Sequence, residues 1–187
     1  GCGLPWYISG RIDSPRELMT SGDTAPRDVN FFESIDNIRI RNNTEAESID
    51  RAAKRVDLRD EHGTRRSIPY DTLVLATGAV PVEAPIEGVD LPGVCSLRSV
   101  EDADRIKRLL SEGGARDVCI IGGGLIGIST ADEILNTGAR ITILEKRATV
   151  LAELMDPDVA RRVAAGLSEH GVKILTGREV TGIGSSG

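Results

Sequence analysis

An α/β fold with a doubly wound parallel sheet is the architecture predicted for this 187-residue chain, and three observations in its carboxyl half predict it. Short apolar runs alternate there with amphipathic helical segments, the order that a parallel sheet with crossover helices requires. The first of these runs, Val118 to Ile121, breaks into Gly122-Gly123-Gly124-Leu125-Ile126-Gly127 before a helix-like segment. The second, Ile141 to Leu144, ends on Glu145. The amino half has another pattern and predicts an antiparallel ribbon feeding one further strand.

In chain order, Ile38 to Ile49 and Arg55 to Leu58 read as strands, Asp60-Glu61-His62-Gly63 as a turn, and Arg66 to Ile68 as the strand pairing back. Leu73 to Ala76 is wholly apolar and reads as a buried strand ending in Thr77-Gly78. Pro81, Pro85 and Pro92 make 79–93 an extended, stiff connector. A domain boundary is therefore expected near Pro92-Gly93, dividing the chain into 1–93 and 94–187.

Beyond it, Ser99 and Asp102 form a capping-box pattern with aspartate in the usual place of Glu or Gln. Val100, Ala103, Ile106 and Leu110 then share a helical face, and Gly113-Gly114 stops the helix. The helix after the glycine turn carries Ile128, Ala131, Ile134 and Leu135 and ends before Gly138. Asp156-Pro157 opens a third helix with a stripe of Val159, Val163 and Leu167. Gly171 closes that helix, and Val172 to Leu175 is the next strand.

Gly122, Gly124 and Gly127 fit G-x-G-x-x-G, and each position has a reason. The first makes a tight turn, the second lets backbone approach a pyrophosphate, and the third lets helix and strand pack closely. The helix start offers unpaired N–H groups and a partial positive charge. Glu145 lies eighteen residues after Gly127, near the spacing at which an acid meets a ribose 2′-hydroxyl. Strand, glycines, helix, strand and acid together predict a Rossmann-like dinucleotide site, where an isolated glycine motif would predict only a turn. NADH is the expected nucleotide. Lys146 and Arg147 keep NADPH open, but the Glu145 carboxylate would repel a 2′-phosphate.

Composition narrows the function. Lys and Arg number 23 against 29 Asp and Glu, and there are five aromatic residues (one Trp, two Tyr, two Phe). Neither a basic nucleic-acid surface nor a base-stacking platform is built from this. No apolar run approaches the roughly 18 residues of a membrane span. Three dispersed cysteines give neither a disulfide framework nor a zinc pattern, so a cytoplasmic, reduced protein is expected.

Three segments occur in a telling order: Cys2-Gly-Leu-Pro-Trp-Tyr-Ile-Ser-Gly10, then Tyr70-Asp-Thr-Leu-Val-Leu-Ala-Thr-Gly-Ala79, then the glycine turn with Glu145. In them the chain resembles the pyridine nucleotide-disulfide oxidoreductase family, and within it the single-cysteine branch of coenzyme A-disulfide reductases, NADH oxidases and NADH peroxidases. The Cys-Gly-Leu-Pro-aromatic-Tyr run is most similar to the coenzyme A-disulfide or polysulfide reductase type. The resemblance implies a cytoplasmic, homodimeric flavoenzyme in which NAD(P)H reduces FAD and the flavin exchanges electrons with one cysteine. It places that role on Cys2, flavin contact on Thr77 and Gly78, and nucleotide binding on Gly122 to Gly127, Glu145 and Lys146. The implied substrate is a small disulfide, polysulfide or peroxide. With no near-sequence cysteine partner, oxidised Cys2 would be a mixed disulfide, a persulfide or a sulfenic acid, which leaves disulfide reductase, polysulfide reductase and oxidase or peroxidase all open.

The chain also departs from the family pattern. No FAD-type glycine turn precedes Cys2, no second flavin motif or dimerisation segment follows, and Ser129 stands where the family carries a glutamate near the nicotinamide. An excerpt of a longer protein is the expectation, with a partial FAD domain in 1–93 and an NAD domain in 94–187, a chain that binds NADH but does not by itself turn over. Gly22-Asp23-Thr24-Ala25 mimics the second flavin motif out of order and reads as a loop. Cys95 and Cys119 read as core residues, His62 as a turn residue, His170 as a helix cap, Trp6 and Tyr7 as packing, and Arg51, Lys54 and Arg55 as solvated charge.

Overall fold

The computed structural model describes residues 3–20, 26–82 and 85–184. By backbone contacts the chain forms two compact units, one of Gly1–Leu18 with Val80–Gly187 and the other of Met19–Ala79. This grouping differs from the 1–93 and 94–187 division drawn on the sequence, because the amino-terminal helix packs with the carboxyl half. The second unit holds a short helix, α2 (Val29–Ser34), which starts with the Asp28 carboxylate accepting from the Phe31 amide. Three antiparallel strands follow in the order β1 (Thr44–Asp50), β2 (Arg55–Asp60) and β3 (Arg65–Pro69).

Two expectations for this unit need correction. Residues 38–43 lie outside any strand, so the first strand begins at Thr44. Leu73 to Ala76 is not a buried strand: the run is irregular, and Val74 is 79% exposed. An apolar run becomes a buried strand only with hydrogen-bonding neighbours and a covered face, and no described strand pairs with this one.

The first unit is built on a parallel sheet, β4 (Asp117–Ile121), β5 (Arg140–Leu144) and β6 (Lys173–Leu175), in the spatial order β4-β5-β6. α4 (Leu125–Leu135) links the first pair and α5 (Pro157–Glu169) the second. This βαβαβ arrangement is one half of a doubly wound sheet. Register explains where the core sits. Val118 pairs with Ile141, Ile120 with Ile143, and Ile143 with Ile174, so these side chains form rows on one face. Ala131 and Ile134 of α4 and Leu167 of α5 join them in a single core. Ala160, not Val159, is buried at the start of α5; Val159 is 47% exposed. Cys119 alternates to the opposite face and is exposed, and Cys95 is half-buried, so neither is a core residue as expected.

α3 (Val100–Ser111) begins with the predicted capping box: the Ser99 hydroxyl accepts from the Asp102 amide, and the Asp102 carboxylate accepts from the Ser99 amide. α1 (Leu4–Ser9) has proline in its first turn and stops at Gly10, whose φ of 79° is a left-handed conformation suited to glycine. Its Leu4, Tyr7 and Ile8 are buried in the same core as Ala103 and Ile134. Three polar contacts fasten it. The Tyr7 hydroxyl donates to the Asp104 carboxylate at 2.6 Å, Ser9 Oγ donates to Glu133 at 2.8 Å, and Arg11 donates to Glu133 at 2.9 Å.

This last group is lopsided, since Glu133 is 4% exposed while the Arg11 side chain is 61% exposed. Removing Arg11 strands a buried carboxylate, whereas neutralising Glu133 leaves Arg11 to water. Arg11→Met is therefore expected to cost about 2–3 kcal/mol, less than the ~3–5 kcal/mol of a fully buried pair. Glu133→Gln is expected to cost about 1 kcal/mol. Urea unfolding of both variants checks the order, and a costlier Glu133→Gln would refute the argument.

Candidate nucleotide-binding site

The glycine turn joins β4 to α4 at the carboxyl edge of the parallel sheet, where ligands of open α/β sheets bind. Its glycines differ in the way a phosphate-binding turn needs. Gly122 has φ of 104°, a conformation that strains any residue with a Cβ. A Cβ on Gly127 would stand 2.1 Å from the Gly122 carbonyl oxygen and 3.2 Å from Ile120 Cγ2. Gly124, the N-cap of α4, is the opposite case, for a Cβ there would meet nothing within 4 Å. That leaves an open approach to a helix start whose first amides have no intrahelical acceptor and carry the positive end of the dipole. The side chains of Leu125 and Ile126 point outward and are exposed, so these residues offer the site their backbone amides.

Glu145, at the end of β5, closes the other side. Its Oε2 accepts from the Gly123 amide at 2.7 Å and its Oε1 from the Arg147 amide at 2.7 Å. Each oxygen keeps lone pairs for another donor, and a ribose hydroxyl is one. Lys146 follows immediately, with its ammonium 2.6 Å from the Glu179 carboxylate. A loop missed in the sequence backs this group. Val150 and Leu151 are buried, the Leu151 amide donates to the Gly123 carbonyl at 2.8 Å, and a Cβ on Gly123 would come within 2.8 Å of Val150 Cγ1. Leu151 holds φ of 52°, a left-handed value that leucine seldom adopts and that nothing in its sequence context signals.

The structure thus brings Gly122 to Gly127, Glu145 and Lys146 into one group. Thr77 and Gly78 belong to the second unit and are exposed, Gly78 with φ of 75°. Cys2 lies outside the described residues, as does the whole of the Gly22-Asp23-Thr24-Ala25 loop. Ser129 sits in α4, half-buried. Partial desolvation by neighbouring atoms pushes the thiol pKa of half-buried Cys95 up, and that of Cys119 too although its face is exposed, which favours the protonated, poorly nucleophilic form. Among the described residues no cluster of His, Cys, Asp and Glu suits a metal ion, and no helix is long and apolar enough to cross a membrane.

Comparison with known proteins follows the same lines. The profile of the pyridine nucleotide-disulphide oxidoreductase family matches residues 8–187. The chain belongs to the pyridine nucleotide-disulphide oxidoreductase family. A NADH oxidase of Methanocaldococcus jannaschii is 33% identical over 93% of this chain and 38% of the relative. A rubredoxin-NAD(+) reductase of Pseudomonas putida is 35% identical over 88% of this chain and 41% of the relative. Among solved structures, a NAD-dependent persulfide reductase from A. fulgidus superposes with a TM-score of 0.84 at 35% identity, covering 99% of this chain and 34% of that one. The chain therefore spans about two-fifths of the length of these curated relatives. Family membership implies FAD and a pyridine nucleotide as the cofactors.

For this pyridine nucleotide-disulphide oxidoreductase, Glu145 gives a direct prediction. A charge-assisted hydrogen bond to a ribose hydroxyl contributes about 1.5–3 kcal/mol, roughly ten- to a hundredfold in affinity. Titration is expected to show tighter binding of NADH than NADPH, and Glu145→Ala is expected to weaken NADH by that factor. Equal affinities in the parent chain would remove Glu145 from this role.

Proposed function

We propose that the chain is part of a FAD-dependent NAD(P)H oxidoreductase that reduces a small disulfide or polysulfide through Cys2. The observation that carries this reading is the glycine turn with an open helix start at Gly124 and the Glu145 carboxylate held across it. In this reading the amides of Gly124 to Gly127 hold the nucleotide pyrophosphate, Glu145 takes the ribose, and Thr77 and Gly78 lie against the flavin. Residues 1–93 are then part of a FAD domain and 94–187 belong to the NAD domain. The full-length protein is a cytoplasmic homodimer.

When bound, the nucleotide supplies a hydride and FAD relays its electron pair. The work of the chain is done at sulfur. The Cys2 thiolate attacks one sulfur of the substrate, the substrate S–S bond breaks, and the first thiolate leaves while Cys2 holds the other half in a mixed disulfide. The electron pair then cleaves that bond, restoring the Cys2 thiolate and releasing the second thiolate. Likeness to a persulfide reductase supports a sulfur acceptor. A second reading, favoured by likeness to a NADH oxidase, has oxygen or peroxide oxidise Cys2 to a sulfenic acid. NADH consumption by the full-length protein with coenzyme A disulfide or polysulfide, against oxygen or peroxide, tests the two. Turnover with oxygen or peroxide alone would overturn the sulfur reading.

A further inference from the structure

The basic pair beside Glu145 is present but occupied. Lys146 and Arg147 leave β5 where a 2′-phosphate would lie, and such residues accept phosphate when their charged ends are available. Here the Lys146 ammonium rests 2.6 Å from Glu179, and the Arg147 guanidinium is paired with Glu153. Backbone contacts place both acids. The Glu145 amide donates to the Leu175 carbonyl, the Arg178 amide to the Glu145 carbonyl, and the Gly177 amide to the Arg147 carbonyl, so the segment carrying Glu179 runs beside 145–147. The Leu151 amide bonds the Gly123 carbonyl, and the Leu154 and Met155 amides bond the Leu151 carbonyl. This folds the turn bearing Glu153 against the glycine turn.

We propose that Glu153 and Glu179 set the nucleotide preference of this site by holding Arg147 and Lys146 away from a 2′-phosphate. This rests on the reading of the glycine turn and Glu145 as a nicotinamide nucleotide site. NADPH must then displace two carboxylates and remain near both of them, besides facing Glu145. NADH places no group there and loses nothing. The preference is thus built in two layers, an acid that accepts the ribose hydroxyls and a pair of outer acids that occupy the cations.

The test is titration of NADH and NADPH against the chain and its variants at one fixed ionic strength. Exposed ion pairs of this kind hold their partners weakly, so Glu153→Gln with Glu179→Gln is expected to raise NADPH affinity roughly five- to thirtyfold while NADH stays within about twofold. Adding Lys146→Met and Arg147→Met should cancel the gain. Glu169→Gln, which changes net charge equally at the far end of α5, should leave the ratio of the two affinities as in the parent. NADH binding with an unchanged NADPH affinity in the double variant would overturn this inference alone, as would equal gains for both nucleotides. Failure of the parent chain to bind NADH would overturn the underlying reading as well.

Discussion

Gly124→Ala is expected to abolish NADH binding without loosening the fold, and Gly127→Ala to lose both. Gly124 has φ of −77° and ψ of −175°, values any residue adopts, and its Cβ would meet nothing within 4 Å. The stability cost should stay within about 1 kcal/mol, the scale of exchanging glycine for alanine at an N-cap. The added methyl would nevertheless occupy the side on which a pyrophosphate must approach the helix start. A hundredfold loss of affinity corresponds to about 2.7 kcal/mol. At Gly127 helix propensity favours alanine by roughly 1 kcal/mol. A contact of 2.1 Å with backbone oxygen outweighs this, because α4 can relieve it only by moving off β4. Overpacking of this sort costs about 1–3 kcal/mol or more. Calorimetric titration with NADH beside urea unfolding separates the two variants. Parental NADH affinity in Gly124→Ala would mean that the nucleotide does not use this turn.

Cys2→Ser in the full-length protein is expected to lower NADH-dependent disulfide or polysulfide reduction at least about a thousandfold, or ~4 kcal/mol of barrier. A hydroxyl cannot replace the thiolate as the nucleophile on sulfur. NADH affinity should not change, since Gly122 to Gly127 and Glu145 keep all their groups in this variant. Cys95→Ser and Cys119→Ser are the controls. Partial desolvation pushes both thiols up and away from thiolate, so neither substitution should slow turnover. Retained turnover in Cys2→Ser would take Cys2 out of the mechanism.

What could be read from the sequence was local. Gly122, Gly124, Gly127 and Glu145 carry their signal in spacing, and the α3 cap carries its signal in Ser99 and Asp102. Both depend on backbone geometry within a few residues or one βαβ unit. Leu73 to Ala76 was misread because apolar character predicts burial, and burial depends on neighbours that the run itself does not contain. Val159 was misread by one position, since Val159 and Ala160 both fit a helical stripe and only the packing of α5 chooses Ala160. The Arg11–Glu133 contact joins residues 122 positions apart and no local pattern encodes it. Glu153 and Glu179 carry no signal in the sequence for the same reason: their partners are set by how two loops fold back on β5.

The fastening of α1 to Glu133 also bears on how the molecule is made. Its compact unit is discontinuous, with residues 19–79 lying between the helix and most of the core it joins. Ser9 and Glu133 are 124 residues apart, so at synthesis rates of about 5–20 residues per second the helix waits roughly 6–25 s for its carboxylate partner. Leu4, Tyr7 and Ile8 stay uncovered through that interval. A nascent chain of this order holds that apolar patch open to chaperones until the segment carrying Glu133 emerges, so the docking of α1 waits on residues far downstream of it.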